Sequence, residues 1–415
     1  MCGICGFTGY RQDQKTVIER MMKAIEHRGP DSEGSFCREK ITLGFRRLSI
    51  IDLEDGQQPM ESADGNLHIV FNGEIYDYKE LRAELETFGI SFCTHSDTEV
   101  LVNTLQQYGE KALDKLRGMF GFAVWNEKEQ TLMLARDFFG IKPVYYAEID
   151  GHFVFASEIK SILAFPGYER KVNQKALEQY LSFQYSPLEE TFFKGIYKLM
   201  PGHMLLYKNG SYEIKTYFKP KLTPGQWNHK TNMAQLRSQL SEILKDSVKH
   251  HMLSDVEVGA FLSGGVDSGY LASSSGADQA FTVGFDEGDR YSEVNKAAKV
   301  AEKAGLKHHV KIISKQEFWD ALPDVMYHMD EPLGDASAVA LYFLSKEAAG
   351  HVKDVLSGEG ADELFGGYNI YHEPISLKGY QKIPKCVRKG LAAVAKKMPD
   401  IKGRDFIIRG SKTVE

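Results

Sequence analysis

The sequence predicts an α+β domain built on antiparallel sheets, followed by an α/β domain with a parallel sheet. Over roughly the first half of the chain, short segments rich in β-branched and aromatic residues, such as 66–78 and 118–137, are separated by Gly, Asn and Asp. Further along, strand-like runs such as 256–262 alternate with helical segments. That alternation is typical of a parallel sheet covered on both faces.

The domain boundaries follow from length and composition. A chain of 415 residues is too long for one ordinary hydrophobic core. The polar stretch 205–230, with Pro220, Pro224 and two glycines, has the composition of a linker. We expect a first domain at 2–218, a linker at 219–235 and a second domain at 236–415.

Individual elements of the first domain are also predicted. Amphipathic patterns indicate helices at 14–28 and 96–109. In the second helix, Ser96 is placed to cap the N-terminus and Glu99 to complete a capping box. The other strand-like segments of this domain are 41–52 and 151–163.

Composition excludes several classes of protein. The net charge of −6 gives no argument for a nucleic-acid or membrane partner, and no run of about 18 apolar residues predicts a membrane helix. The N-terminus lacks the basic and apolar regions of a secretory signal. Five cysteines suit a reducing compartment better than a disulfide framework, so we expect a cytoplasmic protein.

The N-terminal segment MCGICGFTGY places a cysteine directly after the initiator methionine. If Met1 is removed, the thiol and the free α-amine belong to the same residue. An α-amine has an ordinary pKa of about 7.7–8.0, so it can accept the thiol proton near neutral pH. Cys2 is therefore a candidate nucleophile that carries its own base. From position alone, an ordinary buried strand cysteine is the alternative.

Two glycine–serine loops predict a phosphate and metal site. FLSGGVDSGY (261–270) joins a buried strand to a helix and offers backbone N–H groups, two serine hydroxyls and Asp267. VLSGEGADELFGGY (355–368) repeats the pattern and adds three carboxylates. Both loops would follow strands at the carboxyl edge of the sheet, where open α/β folds bind ligands. A tight turn for the first loop and solvated helix caps for the second are the alternatives.

SGGVDS resembles the pyrophosphate-loop signature of the adenylating ATP pyrophosphatases. With MCGI at the N-terminus, the whole chain resembles the glutamine-hydrolysing asparagine synthetase family of class II (Ntn-type) amidotransferases. This resemblance implies an Ntn-hydrolase-like antiparallel sandwich followed by an adenylating domain. The motifs that carry it, in chain order, are HRGPDSEG (27–34), RRLSIIDL (46–53), NGEIYDY (72–78), SDTEV (96–100), GMFGFAVW (118–125), RDFFGIKPVYY (136–146), ASEIKSIL (156–163), GAFLSGGVDS (259–268), TVGFDE (282–287), DEPLGDASAVALY (330–342) and LSGEGADELFGGY (356–368).

The resemblance implies a role for residues of the first domain. Cys2 would attack the side-chain amide of glutamine, with Asn72 and Gly73 forming the oxyanion hole. Taken singly, Asn72-Gly73 also fits a hairpin turn. The residues implied to bind glutamine are Arg47 at its α-carboxylate, Glu74 and Asp97 at its α-ammonium group, and the backbone of Leu48, Ser49, Ile50 and Ile51 around it.

For the second domain, the resemblance implies binding of ATP with Mg²⁺ shared by Asp267 and Asp362. Glu359 matches a family residue implicated in forming or resolving the acyl-adenylate. The implied ATP contacts are Leu262 and Val283 near the adenosine, Ser263, Gly264, Gly265 and Ser268 around the pyrophosphate, and Ser357 and Gly358 from the facing loop.

The expected reaction is that of a glutamine-hydrolysing asparagine synthetase. ATP converts aspartate to β-aspartyl-AMP, and ammonia from glutamine then displaces AMP. Two alternatives stay open: a related enzyme that amidates another carboxylate, such as a cell-wall or natural-product precursor, and a glutaminase whose second domain senses nucleotide. The expected partners are glutamine, aspartate and ATP, with no nucleic acid or membrane; a homodimer is left open.

The C-terminal end departs from the family pattern, because family members continue well past it. We therefore expect a fragment of a longer protein in which the synthetase domain is incomplete. Residues 378–415 carry eleven Lys or Arg and three acidic residues, which we interpret as a solvated helical surface.

Overall fold

The chain divides into two compact units, Met1–Leu356 and Ser357–Glu415. Residues 222–231 of the predicted linker lie outside the described part of the chain. A helix begins at Met233, within the last residues of the predicted linker. The computed structural model describes residues 1–221, 232–286, 293–399, 401 and 403–412.

The first unit begins with two six-stranded sheets in which every paired strand is antiparallel. The first sheet has the order β10-β8-β9-β1-β3-β2, with strands β1 (Gly3–Thr8), β2 (Ser32–Cys37), β3 (Ile41–Arg47), β8 (Tyr145–Ile149), β9 (His152–Ala156) and β10 (Ile196–Lys198). The second has the order β12-β11-β7-β6-β5-β4, with strands β4 (Met60–Glu61), β5 (Leu67–Ile75), β6 (Gly118–Asn126), β7 (Thr131–Arg136), β11 (His203–Lys208) and β12 (Ser211–Thr216).

The two sheets pack face to face around a shared apolar core. Ile4 and Phe45 of the first sheet and Val70 and Leu134 of the second are fully buried in one cluster. Helices cover the outer faces, which gives four layers and confirms the predicted antiparallel sandwich. These helices are α1 (Gln14–Ala24) and α4 (Ile159–Leu163) on the first sheet, and α2 (Tyr78–Thr87) and α3 (Asp97–Tyr108) on the second, with α5 (Gln174–Phe183) following α4 in the chain.

A four-stranded parallel sheet completes the first unit, as predicted from the alternation of strands and helices. Ala280 and Phe281, neighbours on one strand, belong to separate apolar clusters, because successive side chains point to opposite faces. The order is β15-β14-β13-β16, with β13 (Val258–Phe261), β14 (Gln279–Phe285), β15 (Lys307–Ile313) and β16 (Asp354–Leu356); the helices are α6 (Met233–His251), α7 (Val266–Ser274), α8 (Val294–Ala304), α9 (Lys315–Met329) and α10 (Ser337–Ala349).

The second unit is helical. The predicted basic helical surface forms its last two helices, in which Arg388 is buried and donates from Nε to the carbonyl of Ile383 (2.9 Å). Among the described residues of both units, no helix combines the length and apolar character needed to cross a membrane. The helices of this unit are α11 (Ala361–Phe365), α12 (Glu373–Leu377), α13 (Lys385–Ala395) and α14 (Arg404–Gly410).

Several local predictions are wrong in detail. The strand predicted at 41–52 ends at Arg47, and 151–163 ends in helix α4. The first part of 205–230 is the hairpin of β11 and β12 rather than a linker.

The capping box at α3 is incomplete. The hydroxyl of Ser96 accepts a hydrogen bond from Thr98 N (3.1 Å), as a cap should. The carboxylate of Glu99, however, accepts from the backbone N–H groups of Cys93 (2.8 Å) and Thr94 (2.7 Å), because the preceding loop turns back over it.

Side chains of the first unit connect its antiparallel and parallel parts. Lys160 Nζ lies 3.1 Å from Asp330 Oδ1, and both side chains are buried. The N–H of Phe192 donates to Glu331 Oε1 (2.9 Å). These contacts come from the segment that follows α9 and hold it against the first part of the chain.

The buried ion pair generates a first prediction. Asp330→Asn keeps a residue type that tolerates the left-handed backbone at this position (φ 61°) but removes the charge facing Lys160. We expect the free energy of unfolding to fall by about 2 kcal/mol, because Lys160 loses one of its two carboxylate partners and keeps Glu158. Urea unfolding followed by circular dichroism measures this.

The matched control is Lys353→Met, which removes an exposed ion pair with Asp31 (2.7 Å). That change should cost at most about 1 kcal/mol, since solvent screens the pair. Equal losses from the two variants would contradict the assignment of the Lys160–Asp330 pair as a buried one.

Candidate active site

Cys2 lies directly before β1, and both its thiol and its carbonyl are held. Its Sγ is 3.4 Å from Leu48 N, which donates to it, and 3.5 Å from Leu48 O. Arg28 Nε donates to the carbonyl oxygen of Cys2 (2.9 Å). The sulfur is thus fixed against the loop that follows β3.

The ionisable groups at the N-terminus are held in their neutral forms. Burial raises the pKa of the Cys2 thiol, although the nearby α-amino group acts in the opposite direction. Burial lowers the pKa of the α-amino group of Met1 to about 5. At neutral pH an amine in this place is unprotonated and able to accept a proton. With Met1 attached, that amine is one residue away from the thiol rather than on the same residue.

Asn72 lies near the end of β5 and is 1% exposed. Its Nδ2 atom is buried and has no hydrogen-bond partner among the described residues. A buried amide N–H without a partner is costly, so this donor is available to a ligand. The position inside a strand, paired with Gly121, shows that the hairpin-turn alternative for Asn72-Gly73 is wrong.

Gly73 offers a second donor. The N–H groups of Phe71 and Ile75 turn away from β6 and donate to the side chains of Gln58 (2.6 Å) and Asp97 (3.0 Å). Because backbone N–H groups alternate along a strand, the N–H of Gly73 points to that same edge. Strand β4 does not extend that far, so the edge is open at Gly73.

A side chain at position 73 would not fit. A Cβ placed there would lie 2.1 Å from the carbonyl oxygen of Met119 on β6. Glycine therefore allows β5 and β6 to pair closely beside the two donors.

Glu74 and Asp97 form an acidic pair in the interior. Each is 5% exposed, and Glu74 Oε2 has no hydrogen-bond partner among the described residues. Burial, reinforced by the charge of Asp354, raises the pKa of Glu74 to about 8, and Lys142 opposes this shift. Burial also raises the pKa of Asp97 to about 6, although the N–H of Ile75 stabilises its charged form. A bound cation would favour the ionised form of both.

Arg47 is buried and supports the loop after β3. Its Nη1 donates to the carbonyl of Leu53 (3.2 Å) and its Nη2 to that of Ile51 (3.4 Å), with a further bond to the carbonyl of Asp52. A Cβ at Gly56 would lie 2.4 Å from Nη2, so glycine makes room for the guanidinium. The structure shows Arg47 shaping the pocket wall, and its binding of a carboxylate stays a prediction.

The loop over residues 48–52 is held by side chains distant in sequence. Ser49 N donates to Asp31 Oδ2 (2.9 Å). Asp255, which follows α6, donates from its N–H to Ile50 O (3.0 Å) and accepts from Asp52 N (2.8 Å). These bonds replace strand pairing, which is why the predicted strand stops at Arg47.

Motif residues without a predicted role surround the carbonyl of Cys2. Glu158 accepts from Arg28 Nη1 (2.7 Å), from Lys160 and from His27 Nε2 (3.1 Å). Although burial acts in the opposite sense, the hydrogen bond from His27 and the charges of Arg28 and Lys160 hold the pKa of Glu158 well below its usual value. Sequence reasoning quoted the motifs that contain these residues but could not pair them, since 130 positions separate Arg28 from Glu158.

The predicted phosphate loop follows β13. Ser263 N donates to Ser268 Oγ (3.2 Å), the two hydroxyls are 2.9 Å apart, and Gly265 N donates to Ser263 Oγ (3.3 Å). Gly264 has φ 78°, and a Cβ there would lie 2.7 Å from the Cβ of Lys296. Asp267 lies in the first turn of α7. The loop therefore needs glycine and exposes hydroxyls, backbone N–H groups and a carboxylate together.

The other predicted ATP residues are placed as follows. Leu262 is buried, and Val283 lies on β14. Strands β13 and β16 are parallel neighbours, so their carboxyl ends meet at one edge of the sheet. In the second unit, Asp362 opens the short helix α11, and a Cβ at Gly367 would lie 1.8 Å from its Oδ1. Ser357, Gly358 and Glu359 precede that helix.

Comparison with known proteins identifies the two parts of the chain. A glutamine amidotransferase domain family matches residues 1–218, and an asparagine synthase family matches residues 239–405. Asparagine synthetase (glutamine-hydrolysing) 1 of Bacillus subtilis is 45% identical, over 98% of this chain and 66% of its own length. A Mycobacterium tuberculosis protein, provisionally named a glutamine-hydrolysing asparagine synthetase, is 38% identical over 100% of this chain and 68% of its own. Amidase chry2 of Gibberella zeae is 31% identical, over 89% of this chain and 60% of its own length.

The sandwich and the loop after β13 thus define a glutamine amidotransferase domain joined to a nucleotide-dependent synthase domain. The chain belongs to the glutamine-hydrolysing asparagine synthetase family, as its motifs predicted. It spans about two thirds of the length of these two asparagine synthetase relatives.

The surroundings of Cys2 generate a prediction for thiol chemistry. In protein that retains Met1, iodoacetamide should modify Cys2 at least about ten-fold more slowly at pH 7 than the exposed Cys93. The reason is that only the thiolate reacts, and burial of Cys2 disfavours its thiolate form. The rate at Cys2 should climb as pH rises above 9. Peptide mass spectrometry measures both sites in one sample.

Cys5 provides an internal control. It is fully buried, and burial raises its pKa to about 12, so it should stay unmodified in folded protein. Equal rates at Cys2 and Cys93 would show that the Cys2 thiol is not enclosed as described.

Proposed function

We propose that this chain works in glutamine-dependent asparagine synthesis, with Cys2 releasing ammonia from glutamine for an ATP-dependent step at the second domain. The observation that carries the proposal is a pair of buried polar atoms, Asn72 Nδ2 and Glu74 Oε2, that have no partner in the described part of the chain. They are two residues apart on β5, so they share one face of the strand. Glutamine would satisfy both atoms. Its side-chain carbonyl oxygen, which becomes negative in the reaction, would accept from Asn72 Nδ2, and its α-ammonium group would pair with Glu74 Oε2.

In the proposed first reaction, Cys2 sulfur attacks the side-chain amide carbon of glutamine while its proton passes to the α-amine. Asn72 Nδ2 and Gly73 N stabilise the resulting oxyanion, at roughly 3–4 kcal/mol for each donor. The carbon–nitrogen bond then breaks, and the nitrogen leaves as ammonia with the transferred proton. Water cleaves the remaining thioester to glutamate.

Substrate binding would use the groups around this centre. Glu74 and Asp97 would face the α-ammonium group, and Arg47 with the backbone of 48–51 would face the α-carboxylate. Arg28 holds the carbonyl of Cys2 in place and so positions the sulfur. Removal of Met1 would move the unprotonated amine onto Cys2 itself, next to the thiol that it serves.

The loop after β13 fits a phosphate group. Its hydroxyls and N–H groups bond to one another in the structure and are donors of the type that phosphate oxygens accept. Asp267 would hold Mg²⁺, and Asp362, Ser357, Gly358 and Glu359 stay predicted contributors from the second loop. When bound, ATP would supply the adenylyl group that activates a carboxylate towards ammonia.

The carboxylate acceptor is proposed to be aspartate, on the strength of the asparagine synthetase relatives. A different acceptor is the second candidate, because a relative 31% identical to this chain carries the name of an amidase. Aspartate-dependent release of pyrophosphate from ATP favours the first candidate. Pyrophosphate release that needs another carboxylic acid favours the second.

Two substitutions test the division of labour. Cys2→Ala should abolish glutamate release from glutamine and leave the affinity for Mg²⁺-ATP within two-fold of wild type. Asp267→Ala should weaken Mg²⁺-ATP binding at least about ten-fold and leave glutamate release unchanged, since the two groups serve separate sites. Glutamate release and isothermal titration calorimetry measure these outcomes.

Cys93→Ala is the matched control for the first change, because Cys93 is an exposed cysteine of the same domain. It should alter neither measurement. Loss of the same partial reaction in both Cys2→Ala and Asp267→Ala would contradict the two-site proposal.

The raised pKa of Glu74 predicts how glutamine affinity depends on pH. Below a pKa of about 8 the carboxyl is protonated in the free protein, and the ammonium group of glutamine must displace that proton. Affinity should therefore fall as pH falls, by about eight-fold between pH 8.5 and pH 7. Asp97, with its pKa near 6, should add a second decline at lower pH.

Calorimetry on Cys2→Ala protein measures this binding without hydrolysis. In the double variant with Glu74→Gln, affinity should be weak and nearly constant between pH 7 and pH 8.5. If the pH dependence persists without Glu74, another group is responsible.

A further inference from the structure

A group of three metal-binding side chains lies on the parallel sheet and includes none of the residues assigned above to the glutamine and ATP sites. His309 is on β15, Glu347 is in the last turn of α10, and His351 is in the turn between α10 and β16. One ligand atom from each lies within 4.8 Å of the others. None of these residues belongs to the motifs that carry the family resemblance.

The helix brings two of the three ligands together. Glu347 and His351 are four residues apart, and His351 Nε2 lies 3.7 Å from Glu347 Oε1. The third ligand, His309, comes from the strand beneath. The centroids of the His309 and His351 rings are 4.0 Å apart, and the ring planes meet at 41°. Two imidazoles and a carboxylate therefore lie close together.

A chain of hydrogen bonds orients His309. Gln279 Nε2 donates to Glu257 Oε1 (2.7 Å), which fixes the amide so that its oxygen faces His309. His309 Nε2 lies 2.8 Å from that oxygen, Gln279 Oε1, and must donate to it because an amide oxygen only accepts. Nδ1 is then the unprotonated nitrogen. Outer hydrogen bonds of this type fix the tautomer of histidines that bind metals.

We propose that His309, Glu347 and His351 form a binding site for a divalent transition-metal ion of the Zn²⁺ type. Two neutral imidazoles and one carboxylate are ligands that Zn²⁺ prefers, whereas Mg²⁺ and Ca²⁺ favour sites made of oxygen atoms. Three protein ligands leave one position of a tetrahedral ion for water. Around a tetrahedral zinc ion these ligand atoms would be about 3.4 Å apart, somewhat closer than the 4.8 Å within which they all lie in the structure.

The bound ion would fasten the edge strand to the turn that leads into β16. In the sheet order β15-β14-β13-β16 these two elements are at opposite edges, so the ion bridges across the face that α10 covers. Phe281 of β14 lies beneath, with its ring centroid 5.0 Å from that of His309 and 5.7 Å from that of His351. The bound ion would therefore connect these two elements, while its fourth coordination position stays open to water.

Zinc titration by calorimetry tests the proposal, on chelator-treated protein with its accessible thiols blocked by N-ethylmaleimide. The wild-type chain should bind one Zn²⁺ with micromolar or tighter affinity. His309→Ala, and separately Glu347→Gln, should weaken this binding at least about ten-fold. His372→Ala, which removes an exposed histidine of the second unit, should leave the binding unchanged.

Two further measurements separate a designed site from general metal affinity. Gln279→Leu removes the orienting bond to His309, together with the bond to Glu257, but none of the three ligands, and should weaken binding about ten-fold. Co²⁺ should give the intense visible absorption of a tetrahedral site in wild-type protein and not in His309→Ala, with unchanged circular dichroism showing that the variant is folded. Equal zinc binding by wild type and by the His309→Ala, His351→Ala double variant would overturn the proposal.

Discussion

The pairing register of β1 determines where the sulfur of Cys2 lies. β1 is a central strand of its sheet, between β3 and β9, with Gly3 opposite Arg46. One step further, Cys2 comes opposite Arg47 and meets the first residue of the loop, Leu48. A slip of one residue would turn every side chain of this strand to the other face and bury apolar residues in the wrong layer. The packing of the sandwich thus fixes the position of the N-terminus.

A second constraint comes from buried charge. A series of contacts runs from Asp330 through Lys160, Glu158 and Arg28 to the carbonyl oxygen of Cys2. Burying four charges costs desolvation energy that their mutual attraction roughly offsets, so such a series defines geometry more than it adds stability. The series begins after α9, in the synthase part of the unit, and ends at the carbonyl of Cys2, the proposed nucleophile.

Local sequence patterns predicted the features that depend on neighbours in the chain. Enrichment in β-branched and aromatic residues identified β5 and β6, and glycine with serine identified the loop after β13. Features decided by distant residues were missed or misjudged. Residues 48–52 look like a strand but are held as a loop by Asp31 and Asp255. Likewise, no local signal could show that Glu99 would cap the preceding loop instead of its own helix.

The roles around Cys2 show the same limit. Family motifs pointed to Asn72 and Glu74, and the structure adds that each has a buried atom to which no described residue bonds. The motif residue Arg28 drew no role, because its partners are Glu158, 130 positions away, and a backbone carbonyl. A sequence lists which side chains are present, whereas hydrogen bonding and burial depend on the assembled sheets.

If Asn72 Nδ2 and Glu74 Oε2 bind glutamine as proposed, they would also let the site discriminate among substrates. Each buried polar atom without a partner costs the folded protein about 1–3 kcal/mol, and a ligand that supplies the partner recovers that energy. Asn72 Nδ2 needs an acceptor and Glu74 Oε2 needs a donor or a cation. A molecule with only one of these groups would leave the other atom buried and unsatisfied, and would bind correspondingly less well. Recognition therefore rests on two complementary polar requirements held at a fixed spacing by one strand.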